Sequence, residues 1–286
     1  MAKYVTIQVA RKEPPPGPEA AGERCKNCNA VLQEGELERN LRVCPRCSFH
    51  YPMPSHERVA HLADKGSVTF IGEEVRAVDP LEFFDLRPYP GRLSEAQFGT
   101  GLSEAFLATL CRIAGRPAAL GVLDFKFLGG SMGSVVGERF HRLALAALEG
   151  RRPLIVVAGS GGARMQEGLF SLMQMAKTVV SVQALGKAGL PYVTILTHPT
   201  TGGVFASFST VADVILAEPG AVMSFAGARI IEQTTREKLP PGFGSSESQL
   251  SHGQVDMVID RRHLKERLVN LLSFLMGPPA GGEHRG

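Results

Sequence analysis

No apolar run in this chain of 286 residues reaches the roughly 18 residues that a membrane-spanning helix needs. The N-terminus, MAKYVTIQVARKEPPPGPEAAGER, also lacks the apolar segment and small-residue cleavage site of a secretory signal. Charge is nearly balanced: the formal net value of +3 excludes a protein whose main business is coating nucleic acid. Cysteine is sparse, and five in a chain of this length do not form a disulfide framework, so a reducing cytoplasm is the expected setting. Asparagine is scarcer still (Asn27, Asn29, Asn40 and Asn270) beside 19 prolines, a composition compatible with a heat-adapted source. What is plentiful is hydrophobic content, 44%, enough for the core of one large domain with a small appendage.

Residues 1–23 read as a flexible leader, Pro-rich and polar from residue 11 onward. Residues 24–50 hold four of the cysteines, residues 51–276 form the main domain, and 277–286 (GPPAGGEHRG) read as a disordered tail. The main domain opens with a short helix near 56–65 and a strand near 67–71. Apolar strands then alternate with Gly-rich turns and helices, with strands expected over 118–125, 154–158, 192–197, 214–217, 221–225 and 255–259. Met165, Leu169, Leu172, Met173, Ala176 and Val180 recur at three- and four-residue steps, so they share one face of a helix that ends near Gly186–Gly189, ahead of Pro191. A last amphipathic helix spans about 262–276. This alternation predicts an α/β core with largely covered sheets.

Cys25-Lys-Asn-Cys28 and Cys44-Pro-Arg-Cys47 are separated by 15 residues. Zinc takes four ligands in a tetrahedron, and each two-residue gap lets one tight turn present two thiolates to the same ion. The spacing predicts a four-cysteine zinc ribbon with one structural Zn2+ and no open coordination position. So short a segment should unfold without its metal. Arg24, Lys26, Arg39, Arg42 and Arg46 lie on or beside it and could meet nucleic acid, but Glu34, Glu36 and Glu38 interrupt them and favour a solvated face. Cys111, alone in an apolar stretch, reads as a buried core thiol.

Two strands end on bare backbone. LIVVAGSGGARMQEG (154–168) breaks into Gly159, Gly161 and Gly162, and VTILTHPTTGGVFAS (193–207) repeats the arrangement with Gly202 and Gly203. A glycine lets a ligand approach the main chain, and a following helix leaves N–H groups unpaired, so such a turn attracts negative charge. A phosphate cradle, an oxyanion hole and a plain strand–helix turn all fit that description. The spaced glycines of a dinucleotide site and the Gly-Lys-Ser/Thr of a P-loop are both missing, which leaves no basis for direct ATP binding. A third stretch, Gly129-Gly130-Ser131-Met132-Gly133, matches the nucleophile elbow of serine hydrolases in form, with Asp213 and His252 in hydrolase order. His198 before the second loop and the Arg164/Glu167 pair beside the first are further polar candidates.

Taken together, the four-cysteine ribbon, DPLEFFDLRPYPGRL (79–93), FLGGSMGSVVGERF (127–140), SGGARMQEG (160–168), PTTGGVFASF (199–208), AEPGAVMSFAGARIIEQTTREKLPPGF (217–243) and HGQVDMVI (252–259) resemble the β subunits of bacterial acetyl-CoA carboxylase carboxyltransferases. The resemblance spans essentially residues 24–275. It implies a crotonase-like superhelix of ββα units and transfer of a carboxyl group from carboxybiotin, on a separate biotin carboxyl carrier protein, to acetyl-CoA. It further implies an α2β2 assembly with a homologous α subunit, and biotin carboxylase in the full complex. Backbone oxyanion holes, not a catalytic side chain, then carry the chemistry. Gly161 and Gly162 are the expected oxyanion pair, Gly202 and Gly203 expected substrate-pocket backbone, and the loop Gly129, Gly130, Ser131, Met132 and Gly133 the expected CoA side. Two departures stand out: His198 occupies a position where such sequences more often carry Asp or Asn, and SSESQL (245–250) replaces a usually more apolar stretch.

Overall fold

The computed structural model describes residues 23–33 and 35–277. The expected leader lies outside the described residues except for Glu23, and the expected tail except for Gly277. In chain order, β1 (Glu23–Arg24), β2 (Val31–Leu32) and α1 (Glu36–Arg39) belong to the cysteine segment. Next come α2 (Ser55–Leu62), β3 (Thr69–Ile71), α3 (Tyr89–Thr100), β4 (Phe106–Ile113), β5 (Arg116–Leu123), α4 (Ser134–Glu149) and β6 (Leu154–Ser160). The chain continues through α5 (Gly168–Lys187), β7 (Tyr192–Thr201), α6 (Gly202–Val204), β8 (Val214–Ala217) and β9 (Met223–Ser224). It closes with α7 (Ala228–Thr235), α8 (Ser246–Ser251), β10 (Met257–Val258) and α9 (Arg261–Met276).

The main sheet runs β10-β8-β7-β6-β5-β4-β3, with β9 pairing the far end of β7. Strands β5, β6, β7, β8 and β10 are parallel, whereas β3, β4 and β5 form an antiparallel meander. Parallel neighbours need crossovers, and α4 and α5 supply them for β5–β6 and β6–β7. The unit β4–β5–α4 is thus one ββα module of the expected fold. Its hairpin turns on Ala114 and Gly115, both at positive φ, the requirement of a type I′ turn. The Asp64 carboxylate accepts both turn N–H groups, at 3.0 and 2.7 Å.

Strand β4 was not among the strands expected from the sequence. Its burial is almost continuous, so no two-residue alternation marks it. Cys111 within it is buried, as expected. Helix α3 was also not expected, because Pro90, Gly91 and Gly99 depress helix propensity throughout.

Helix α5 corrects the simplest amphipathic reading. The recurring apolar residues do share a face, but Met165, just ahead of the helix, and Leu169, Leu172, Met173 and Val180 on it are all exposed. The inward face carries Ser171, Thr178 and Ser181 with Val182 and Leu185. Small hydroxyl side chains let α5 lie close against α4, and they find acceptors locally: Ser171 Oγ donates to Arg164 O at 2.7 Å, Thr178 Oγ1 to Gln174 O at 2.9 Å. The apolar stripe therefore faces outward along the helix.

Candidate active site and metal centre

The four cysteines come together as two equivalent knuckles. Cys25 N–H donates to Ala30 O and Asn29 N–H to Cys25 O; Cys44 N–H donates to Phe49 O and Ser48 N–H to Cys44 O. Asn29 and Ser48 both close their turns at positive φ. The Sγ atoms lie within 4.8 Å of one another, with Cys25–Cys47 at 3.7 Å and Cys28–Cys44 at 3.9 Å. A tetrahedral ion with about 2.3 Å bonds to sulfur needs S···S separations of about 3.8 Å, so the four thiols fit such an ion. Asn27 Nδ2 donates to Cys47 Sγ, and Leu32, Leu37 and Tyr51 complete a small core around the knuckles. Of the basic residues on the ribbon, Arg42 is committed to Glu57 of α2 at 2.6 and 2.8 Å.

The three glycine turns meet beyond the ends of β5, β6 and β7. Met132 N–H donates to Gly162 O, Arg164 N–H to Met132 O and Gly161 N–H to Gly129 O, stitching the 127–133 loop to the 160–168 loop. Gly162 and Gly202 lie back to back: a Cβ on either would come 3.1 Å from the other's Cα, and both have positive φ. A Cβ on Gly130 would stand 2.1 Å from Gly159 O. These glycines are required by contact of main chain with main chain.

The hydrogen bonds also change the expected donor assignment. The Gly161 N–H is spent on Gly129 O at 2.8 Å, and the Gly162 N–H on Ser160 Oγ at 3.0 Å. Gly202 N–H goes to Phe225 O. Among the described residues, no acceptor is found for the N–H groups of Ala163 and Gly203, and these two residues are neighbours: a Cβ on Gly203 would lie 3.5 Å from Ala163 N. Gly203 stands in the first turn of α6, where the helix itself supplies no acceptor.

A buried charge cluster holds the site. Arg164 has no exposed side-chain surface and places all five of its N–H groups. Nη1 and Nη2 meet Glu104 at 2.8 and 2.5 Å; Nη1 also reaches Tyr89 Oη, Nη2 reaches Ser131 O, and Nε–H donates to Ser131 Oγ. Tyr89 Oη–H donates to Glu167 Oε1 at 2.7 Å, and the Ser134 N–H at the start of α4 donates to Glu167 Oε2. Burial pushes the Tyr89 phenol well above its ordinary range, so it stays a neutral donor. Arg164 and Glu167 were visible in the sequence, but Glu104 and Tyr89 were not singled out as polar partners; only the quoted stretch 79–93 contained Tyr89.

This arrangement removes the serine-hydrolase alternative. Ser131 Oγ accepts from a permanent cation and touches no imidazole. Asp213 binds Tyr192 N–H at the opposite end of β7, and His252 Nδ1 lies against Ser248 O. Of the loop 129–133, Met132 and Gly130 are buried, while Gly129 and Leu128 border a concavity of about 320 Å³ with Arg87, Arg92 and Lys126. His198 Nδ1 accepts the Val222 N–H at 3.2 Å, and partial desolvation of the ring lowers its pKa although the residue keeps an exposed edge.

Residues 64–258, which carry all three glycine turns, match the family model described as "Carboxyl transferase domain". The acetyl-coenzyme A carboxylase carboxyl transferase subunit beta of Thermus thermophilus is 54% identical over 252 residues, 88% of each chain. The fused "subunits beta/alpha" protein of Salinispora arenicola is 49% identical over 92% of this chain and 47% of its own. Among solved structures, transcarboxylase 12S with methylmalonyl-coenzyme A and methylmalonic acid bound superposes with a TM-score of 0.66 at 25% identity, covering 78% of this chain and 41% of that longer one. The chain belongs to the family of acetyl-coenzyme A carboxylase carboxyl transferase β subunits. No helix among the described residues is long and apolar enough to cross a membrane.

Proposed function

We propose that this chain, with an α-type partner subunit, moves a carboxyl group from carboxybiotin on a separate carrier protein to the methyl carbon of acetyl-CoA, giving malonyl-CoA in the cytoplasm. The observation that carries this reading is the side-by-side pair of unspent amides at Ala163 and Gly203. Removing a proton from the acetyl methyl group places negative charge on the thioester oxygen as an enolate. Fixed N–H donors aimed at that oxygen stabilise it without reorganising. Carboxybiotin supplies the carboxyl group, and its ureido portion the base. Glu104 and Glu167 are unsuited to that task, because Arg164, Tyr89 and the α4 main chain consume their oxygens.

Lys126 beside Gly129 suits the phosphates of CoA, with Arg87 and Arg92 lining the same concavity while paired to Glu95 and Asp85. Cys25, Cys28, Cys44 and Cys47 would hold one structural Zn2+, whose four ligands leave no position for substrate. The exposed stripe of Leu169, Leu172, Met173 and Val180 suits burial by the α-type subunit in an α2β2 assembly, because a row of large apolar side chains in water costs free energy that a partner recovers.

The test pairs Gly203→Ala, which keeps the amide hydrogen while its Cβ meets Met175 Sδ and Ala163 Cβ at 3.2 and 3.3 Å, with Gly203→Pro, which also adds a Cβ but removes the hydrogen within the first turn of α6. With the α partner and a carboxylated biotin donor, the proline variant is expected to lose about 100-fold or more in kcat relative to alanine. Equal rates in two correctly assembled variants would refute the assignment. No malonyl-CoA from the unaltered chain, while a known pair works in parallel, would refute the activity itself.

A further inference from the structure

Where the ribbon meets the sheet, one carboxylate faces two guanidinium groups. Arg58 of α2 donates through Nη2 to Glu218 Oε1 at 2.6 Å, and Arg261 at the head of α9 donates through Nε to the same oxygen at 2.7 Å and through Nη2 to Oε2. All three side chains are at most 3% exposed. The other acids at this junction are already engaged: Asp260 by Arg262, Glu57 by Arg42. His50 adds no compensation, since its Nε2 accepts the Arg261 N–H and burial keeps the ring neutral. Within this buried trio one positive charge is left over, which is costly unless a counter-charge is present.

The two arginines are not equivalent. Arg261 spends Nη1 on Leu41 O and Tyr51 O, completing its bonds. Arg58 Nη1 is buried and has no acceptor among the described residues. Arg58 borders a cavity of about 20 Å³ that Val122, Val157, Thr197, His198, Glu218 and Arg261 also line. A space of that size admits about one water-sized sphere. His198, itself exposed to solvent, is one of its lining residues.

We propose that this cavity binds one halide-sized monovalent anion, held by Arg58 Nη1. The narrow space suits a single halide better than sulfate or phosphate, and the residual charge disfavours a cation. A water would accept the hydrogen bond but leave the charge uncompensated. The anion and Glu218 then bracket the two guanidinium groups, and the seating of the ribbon on the sheet depends on halide.

The test is a crystal of the full chain grown in sodium bromide, with data collected at the bromine absorption edge. An anomalous peak within hydrogen-bonding distance of Arg58 Nη1 is the expected result; a map showing only water there overturns the proposal. In solution, the unfolding midpoint is expected to rise saturably as sodium gluconate is replaced by chloride or bromide at constant ionic strength. Arg58→Met removes both the excess charge and the donor, and is expected to abolish that rise. A halide dependence that persists in this variant overturns the assignment to Arg58, and should the variant fail to fold, the bromide map decides alone.

Discussion

Arg164 and Glu104, sixty positions apart, meet in a two-pronged ion pair with neither side chain exposed to water. Through Ser131 and Met132 on one side and Tyr89 and Glu167 on the other, this pair fixes two glycine turns and the start of α4 as one unit. Glu104→Ala would leave the guanidinium buried without its carboxylate, and breaking such a pair costs about 3–5 kcal/mol. Urea unfolding of the purified chain is expected to show a loss of that order, and carboxyl transfer should fall with it. A change under about 1 kcal/mol would mean that water reaches Arg164.

The glycines of the site should not tolerate a methyl group equally. A Cβ on Gly161 meets only Gly129 O at an ordinary 3.7 Å, so Gly161→Ala should fold and assemble normally. Gly162→Ala and Gly202→Ala each force a Cβ against the opposing main chain at positive φ. Thermal unfolding and heterotetramer activity of the three variants, compared side by side, check this order.

Acid should weaken the chain in two steps. Burial, with the nearby charges of Arg58, Arg261 and Lys265, pushes His61 from its ordinary 6.5 down to about 4. Burial alone would raise the Glu218 carboxyl, but Arg58 and Arg261 outweigh it and hold the group at about 2. Both folded values lie below the unfolded ones, so the unfolded chain binds more protons, and stability is full above the unfolded values and falls with pH. His61, with smaller contributions from His50 and His198, gives the decline from about pH 6.5 to 4, and Glu218, with Glu138 and Asp260, that toward about 2. Unfolding free energies across this range should show both limbs, and His61→Gln should flatten the upper one.

Chelation should separate the ribbon from the sheet. With its metal stripped, the segment 24–50 has only a handful of buried apolar residues to hold it. Hydrogen exchange is expected to rise across both knuckles while β5, β6 and β7 stay protected. Unchanged protection at Cys25 and Cys44 would show that the thiols do not carry a structural ion.

The outward stripe of α5 makes a prediction about assembly. Leu169→Glu and Leu172→Glu place charge on side chains already in water, so the isolated chain should keep its stability within about 0.5 kcal/mol. Co-purification with the α-type subunit should be lost. If both variants still form the full complex, the stripe faces something else.

The parallel strands could be read from the sequence because each is a short apolar run, closed directly by glycine in β6 and β7, and β8 was found at its full extent, Val214–Ala217. Strand β4 escaped because burial on both faces erases alternation. The cysteine ribbon was legible from spacing alone, since two knuckles of identical geometry need identical gaps. The donor amides were not. Gly-Gly pairs announce tight backbone, but which N–H is left unspent depends on contacts between loops far apart in sequence, such as Gly161 with Gly129. Periodicity placed the α5 residues on a common face without telling which way that face looks.

Arg261 grips the ribbon carbonyls of Leu41 and Tyr51 from more than two hundred residues downstream. On the ribosome, the knuckles therefore emerge long before the clamp that seats them has been synthesised. For that interval the ribbon has only its own small core of Leu32, Leu37 and Tyr51, and whatever its four thiols can hold, to keep it folded.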